Sequence, residues 1–131
     1  MRSVFSAGLL DGFIDSSFDP FDFYIGVSAG AYNLTAYLNR SPGTSLCIFE
    51  QFATNRKFIN FWRFLRGGHL IDLDWLESYA FDNQRIAPHT VCRSGKPLCV
   101  GITDVTTGGP VYIQATPENS QSVIKASAAL P

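Results

Sequence analysis

Apolar positions in the first sixteen residues recur with a helical period. Phe5, Leu9 and Phe13 stand four apart with Leu10 and Ile14 beside them, so residues 3–16 are expected to form a helix whose apolar stripe lies on a core. Asp19-Pro20 breaks that pattern. The next run, residues 21–27, is aromatic and β-branched, short and bounded by turn residues, which predicts a buried strand. Directly after Ser28, helical spacing returns at Ala31, Leu34, Thr35 and Leu38, and Ser41-Pro42-Gly43 closes that segment. Residues 45–80 read as interrupted helix: Phe58, Phe61, Trp62 and Leu65 share one face, Gly67-Gly68 ends the element, and a short helix is expected over residues 73–80. Two β-rich runs, residues 97–105 and 110–115, flank Thr106-Thr107-Gly108-Gly109 as a hairpin. A last helix is expected from Pro117-Glu118 through Val123, Ile124 and Ala128. Interleaved helices and strands place the chain in the α/β class.

A chain of 131 residues suits one domain with a single core. Its residues are 46% hydrophobic and only 16% charged, a composition that buries surface and does not stay disordered. The net charge is −1 and no basic run occurs, so nucleic acid is not an expected partner. Cys47, Cys92 and Cys99 are odd in number and lack zinc spacing, which predicts reduced, mostly buried thiols, no metal site and no cofactor. Gly8 and Asp11 interrupt the start before a signal-peptide core builds, and no run reaches the length of a spanning helix. Cytoplasm is therefore the expected location. Asn33-Leu34-Thr35 is formally a glycosylation sequon, but it falls within a predicted helix and is expected to be irrelevant.

The chemistry-bearing pattern is Gly26-Val27-Ser28-Ala29-Gly30, a G-x-S-x-G sequence between a predicted strand and a predicted helix. A serine at such a turn sits in a strained backbone conformation, and glycines at Gly26 and Gly30 are expected to remove the clashes around it. The strain raises the Ser28 hydroxyl above the sheet edge, while the start of the next helix aims N–H groups, Ala29 first, at a developing oxyanion. The bland alternative is that Ser28 only caps the helix. A serine nucleophile also needs a base. His69 and His89 are the only histidines, and of these only His89 follows the candidate acids Asp72, Asp74 and Asp82. A solvated histidine is the commoner reading of that position.

The segment from Phe21 to Ala31 resembles the nucleophile segment of bacterial patatin-like phospholipases. The likeness extends over essentially the whole chain, through Leu65-Arg66-Gly67-Gly68-His69, Thr103-Asp104-Val105-Thr106-Thr107-Gly108 and Lys125-Ala126-Ser127-Ala128-Ala129-Leu130-Pro131. The opening Arg2-Ser3-Val4-Phe5 resembles the end of that family's G-G-G-x-R-G oxyanion loop and the helix after it. Arg2 fills the arginine, and Ser3 stands where the pattern has its final glycine. The resemblance implies a partial three-layer α/β/α fold with a mostly parallel central sheet and a nucleophile elbow. It implies lipid acyl hydrolysis of the phospholipase A or esterase type, with a Ser-Asp dyad in which Ser28 forms the acyl-enzyme. A lipid or other acyl ester is the implied substrate, with transient contact at a membrane surface.

The dyad aspartate of that family lies in an Asp-Gly-Gly or Asp-Gly-Ala motif. The only Asp-Gly pair here, Asp11-Gly12, precedes Ser28 and is followed by Phe13, so it does not match. By this resemblance, residues 1–131 are expected to be one patatin-like domain truncated at both ends, with the glycine loop before Met1 and the aspartate beyond Pro131. Such a segment is expected to be nearly inert alone. The cluster of Phe58, Phe61, Trp62, Phe64 and Leu65 is read as core ahead of an acyl-chain or membrane surface. Two rivals remain: part of an ordinary α/β-hydrolase with His89 as base, and a non-catalytic interaction domain.

Overall fold

Three strands among the described residues form one mixed sheet. In the computed structural model, which describes residues 2–54, 87, 91 and 95–129, the elements in chain order are helix α1 (Arg2–Asp15), strand β1 (Tyr24–Val27), helices α2 (Ala29–Leu38) and α3 (Thr44–Thr54), strands β2 (Leu98–Thr103) and β3 (Pro110–Gln114), and helix α4 (Ser120–Ala128). The sheet order is β1-β2-β3. β1 pairs parallel to β2, with Tyr24 opposite Leu98 and Val27 opposite Gly101, and β2 pairs antiparallel to β3, with Val100 opposite Ile113. The α/β class holds. Among the described residues one pairing is parallel and one antiparallel, the latter because residues 104–109 return the chain as the expected hairpin after β2. That turn is closed by the Asp104 N–H to Gly109 carbonyl bond at 2.9 Å and the Gly108 N–H to Asp104 carbonyl bond at 2.7 Å.

The side-chain alternation of β1 sorts its two faces. Tyr24 and Gly26 are buried while Ile25 and Val27 are exposed. α2 packs on β1, α4 packs on β2, and the two helices touch each other, so both lie on the Tyr24 face. Between them lies a core that includes Tyr24, Ala31, Tyr37, Leu98, Val100, Val123 and Ile124. Each buried aliphatic side chain there contributes about 1.5–3 kcal/mol.

α1 forms as expected, but rotated. Ala7 is 1% exposed and Leu10, Phe13 and Ile14 pack against the core, whereas Phe5 is 78% and Leu9 50% exposed. The small face won because α1 must approach α2 closely: the buried Asn33 amide donates to the Ser3 carbonyl at 2.9 Å and to Ser3 Oγ at 3.1 Å. The same burial, 2% exposure, takes the Asn33 sequon out of reach of glycosylation. Asp11 fixes the other end of α1 by accepting the Gly43 N–H at 3.0 Å.

The strand expected over residues 21–27 begins only at Tyr24, where the backbone N–H first finds a partner, the Pro97 carbonyl at 2.9 Å. Phe21 instead joins a chain of tilted and edge-to-face rings, Phe13, Phe18, Phe21, Tyr24 and Tyr37, with centroids 5.1–6.2 Å apart. The last helix starts at Ser120, after a turn at residues 117–119 in which Thr116 and Asn119 exchange side-chain bonds with each other's N–H groups. Of the helical stretch expected over residues 45–80, α3 is the described part. The cluster of Phe58, Phe61, Trp62, Phe64 and Leu65 and the helix over residues 73–80 lie outside the described residues. No helix among the described residues is long and apolar enough to cross a membrane.

Candidate functional site

Ser28 stands at the junction of β1 and α2 with φ 52° and ψ −125°, a backbone region that costs a non-glycine residue about 1–3 kcal/mol. Strain of that kind persists only where the surroundings impose it, and Gly26 shows how they do. A Cβ at Gly26 would lie 2.7 Å from Ala31 Cα and 2.8 Å from Ala31 N, so only glycine lets the helix start this close to the strand. Gly30 does not share that role. A Cβ there would meet no heavy atom within 4 Å, so the steric need expected at both glycines rests on Gly26.

The hydroxyl of Ser28 is on an exposed residue and makes no capping bond to α2. That removes the reading of Ser28 as a simple helix cap, which requires its oxygen to accept an N–H of the first turn. The Ser28 carbonyl begins the helix by accepting Ala31 N–H at 2.9 Å. The N–H groups of Ala29 and Gly30, one residue into α2, have no carbonyl a full turn behind them within the helix, and the positive end of the helix dipole lies with them. An anion forming beside Ser28 Oγ would meet those donors, Ala29 first.

The Ser28 N–H is committed elsewhere. It donates to Ser127 Oγ at 2.7 Å, and Ser127 Oγ–H donates to the Gly101 carbonyl at 2.5 Å. Neither Ser127 nor Gly101 stands out in the sequence as a site residue, since the bond joins positions 99 residues apart. Arg2, expected beside the oxyanion, is the first residue of α1, and its side chain lies outside the described residues.

The histidines and acids considered as triad partners, His69, His89, Asp72, Asp74 and Asp82, all lie outside the described residues. Among the described residues no histidine or carboxylate is hydrogen-bonded to the Ser28 hydroxyl. Asp104, at the C-terminal end of β2, is engaged in its own turn: the Thr106 N–H reaches its Oδ1 at 2.7 Å, and that backbone bond holds its carboxyl below the ordinary carboxylate value. Among the described residues no group of three or more His, Cys, Asp or Glu could hold a metal ion. Cys47 and Cys99 are unbridged and half-buried, and Cys92 lies outside the described residues.

A second polar cluster occupies the opposite end of β1. Asp19 accepts a hydrogen bond from the Tyr24 hydroxyl, pairs with Lys96 Nζ at 2.9 Å and faces Arg40 at 3.7 Å, while Lys96 also donates to the Asp19 carbonyl at 2.9 Å. Burial pushes the Asp19 carboxyl up, but the bonds from Tyr24 and Lys96 and the two positive charges outweigh it and hold it below its ordinary value. Burial and the neighbouring carboxylate push the Tyr24 phenol up.

No protein-family model matches the sequence, and no solved structure matches it. The chain is similar to the uncharacterized protein YjjU of Escherichia coli K12, at 39% identity over 133 residues. The alignment takes in 99% of this chain and 37% of that protein, so the chain spans little more than a third of the length of the curated relative it matches.

Proposed function

We propose that this chain carries the nucleophile of a serine acyl hydrolase of the phospholipase A or esterase type. The observation that carries the reading is the backbone of Ser28, an exposed residue held at positive φ between strand and helix, whose hydroxyl does not cap its own helix. A strained serine that leaves its helix uncapped has the geometry of a nucleophile elbow. Ser28 Oγ attacks the acyl carbonyl carbon and gives its proton to a base. The tetrahedral oxyanion is stabilised by Ala29 N–H and the α2 dipole, and the alcohol departs with a proton from that base. Water then releases the acid from the acyl-enzyme by the reverse use of the same groups.

The lipid substrate, the transient membrane contact, the three-layer patatin-like architecture and the Ser-Asp dyad rest on the sequence resemblance that runs from residues 21–31 over essentially the whole chain. The activity belongs to the complete native polypeptide. Hydrolysis of a short-chain nitrophenyl ester and of a phospholipid by that polypeptide tests the reading. Ser28→Ala is expected to remove activity by a factor of about 10⁴ or more. His89→Ala is expected to change it less than about threefold if an aspartate is the base, whereas a Ser-His-Asp triad would lose about 10³-fold or more on the same change. Activity that survives in Ser28→Ala would refute the assignment.

A further inference from the structure

We propose that Ser127 is a positioning residue for Ser28, holding the elbow in its strained conformation through a hydroxyl relay to the sheet. The inference rests on the reading of Ser28 as a nucleophile.

The register of the sheet shows what the relay replaces. Tyr24 N–H donates to the Pro97 carbonyl, and the donors of a parallel strand repeat every second residue. The next rungs of the ladder are therefore Gly26 N–H to the Cys99 carbonyl and Ser28 N–H to the Gly101 carbonyl. At Ser28 the chain turns out of the strand, and the Ser127 hydroxyl stands in the gap. It accepts from Ser28 N–H at 2.7 Å and donates to the Gly101 carbonyl at 2.5 Å. One side chain of α4 thus completes the last rung with a spacer the width of a single oxygen. The backbone of Ser28 leaves the sheet without leaving either polar group unpaired.

Hydroxyl bookkeeping then limits what Ser127 does. Serine has one O–H to donate, and here it goes to Gly101. Ser127 is not poised to give its proton to a reacting group, so its role is geometric. The Ser28 N–H is likewise committed, which leaves Ala29 N–H as the first donor for an oxyanion. The partners are well fixed: Gly101 lies opposite Val27 in the ladder, and a Cβ at Gly101 would come within 2.9 Å of Val27 Cγ2. α4 itself is anchored by Val123 and Ile124 in the core.

The test compares Ser127→Ala, Ser127→Thr and the control Ser122→Ala in the complete native polypeptide. Ser122 is exposed on the same helix and bonds only locally, to the Asn119 carbonyl at 2.8 Å. Two quantities are read: the rate of fluorophosphonate labelling at Ser28, and hydrogen exchange at the Ser28 amide. Ser127→Ala is expected to slow labelling by about 10–100-fold and to speed amide exchange at least tenfold, because a small misplacement of a reacting atom has effects of that size. Ester hydrolysis should lose kcat with KM nearly unchanged. Ser127→Thr, which keeps the hydroxyl, should stay within a few-fold of the parent, and Ser122→Ala should match it. If Ser127→Ala does not fold, Ser127→Cys keeps nearly the same volume with only a weak donor and carries the same expectation. A folded Ser127→Ala protein that labels within twofold of the parent overturns the positioning role while the nucleophile stands. An unlabelled Ser28 in the parent overturns the nucleophile, and the positioning role falls with it.

Discussion

Tyr24 and Ser28, at the two ends of β1, are four residues apart, and their surroundings are built on opposite physical terms. At the Tyr24 end, the polar groups are saturated: the Asp19 carboxylate has a phenol, an ammonium and a guanidinium around it, and rings from Phe13 to Tyr37 pack alongside. At the Ser28 end the backbone is strained, the residue is exposed, and one hydroxyl from α4 accepts the Ser28 N–H. Ion pairs thus mark the Tyr24 end, and backbone geometry marks the candidate site. The ion-pair cluster around Asp19 is a clamp holding the loop after α1 to the sheet. The candidate site is the place where local stability is given up.

That contrast can be broken at several points. The largest expected effect comes from Gly26→Ala, whose new Cβ meets the backbone of Ala31, which cannot rotate aside. It should cost about 3 kcal/mol in denaturant unfolding by pushing α2 off β1, and should slow Ser28 labelling as well. A loss under about 0.5 kcal/mol would mean that the close approach of helix and strand is not what fixes the elbow.

Next is Asp19→Asn, expected to cost about 2 kcal/mol through the charge-assisted bonds it loses, with the Ser28 labelling rate unchanged. Because the folded Asp19 carboxyl lies below its ordinary value of 3.8, its stabilisation is complete above that pH and is lost as pH falls through the folded value. The acid limb of a stability profile below about pH 4 should therefore be shallower in Asp19→Asn. If labelling fell together with stability, the two ends of the strand would not be separable.

The smallest effect carries the opposite sign. Ser28→Gly should be more stable than Ser28→Ala by about 1 kcal/mol, since glycine relieves the positive φ and returns only part of that gain as unfolded-chain entropy. Thermal unfolding of the two variants measures it, and equal stabilities would remove strain from the account.

Much of the fold was legible because it follows local pattern. The period of four gave α1, the aromatic and β-branched run gave β1, and the paired runs around residues 106–109 gave the hairpin. The strand-serine-helix junction was legible because its three parts are contiguous in the chain. What escaped was set by distant parts of the molecule. The rotation of α1 depends on Asn33 reaching Ser3, which overrides the larger apolar stripe of Phe5 and Leu9. Ser127 carried no local signal, because its hydroxyl acquires meaning only when α4 lies over the end of β1. Gly26 and Gly30 look equivalent in the motif, and only the packing of α2 tells them apart.

The most direct test of the central claim is to treat the complete native polypeptide with a fluorophosphonate and map the adduct by peptide mass spectrometry. The account predicts one modified serine, Ser28, lost in Ser28→Ala and absent after unfolding. A folded protein that takes no label at Ser28, or takes it at another serine, would contradict it.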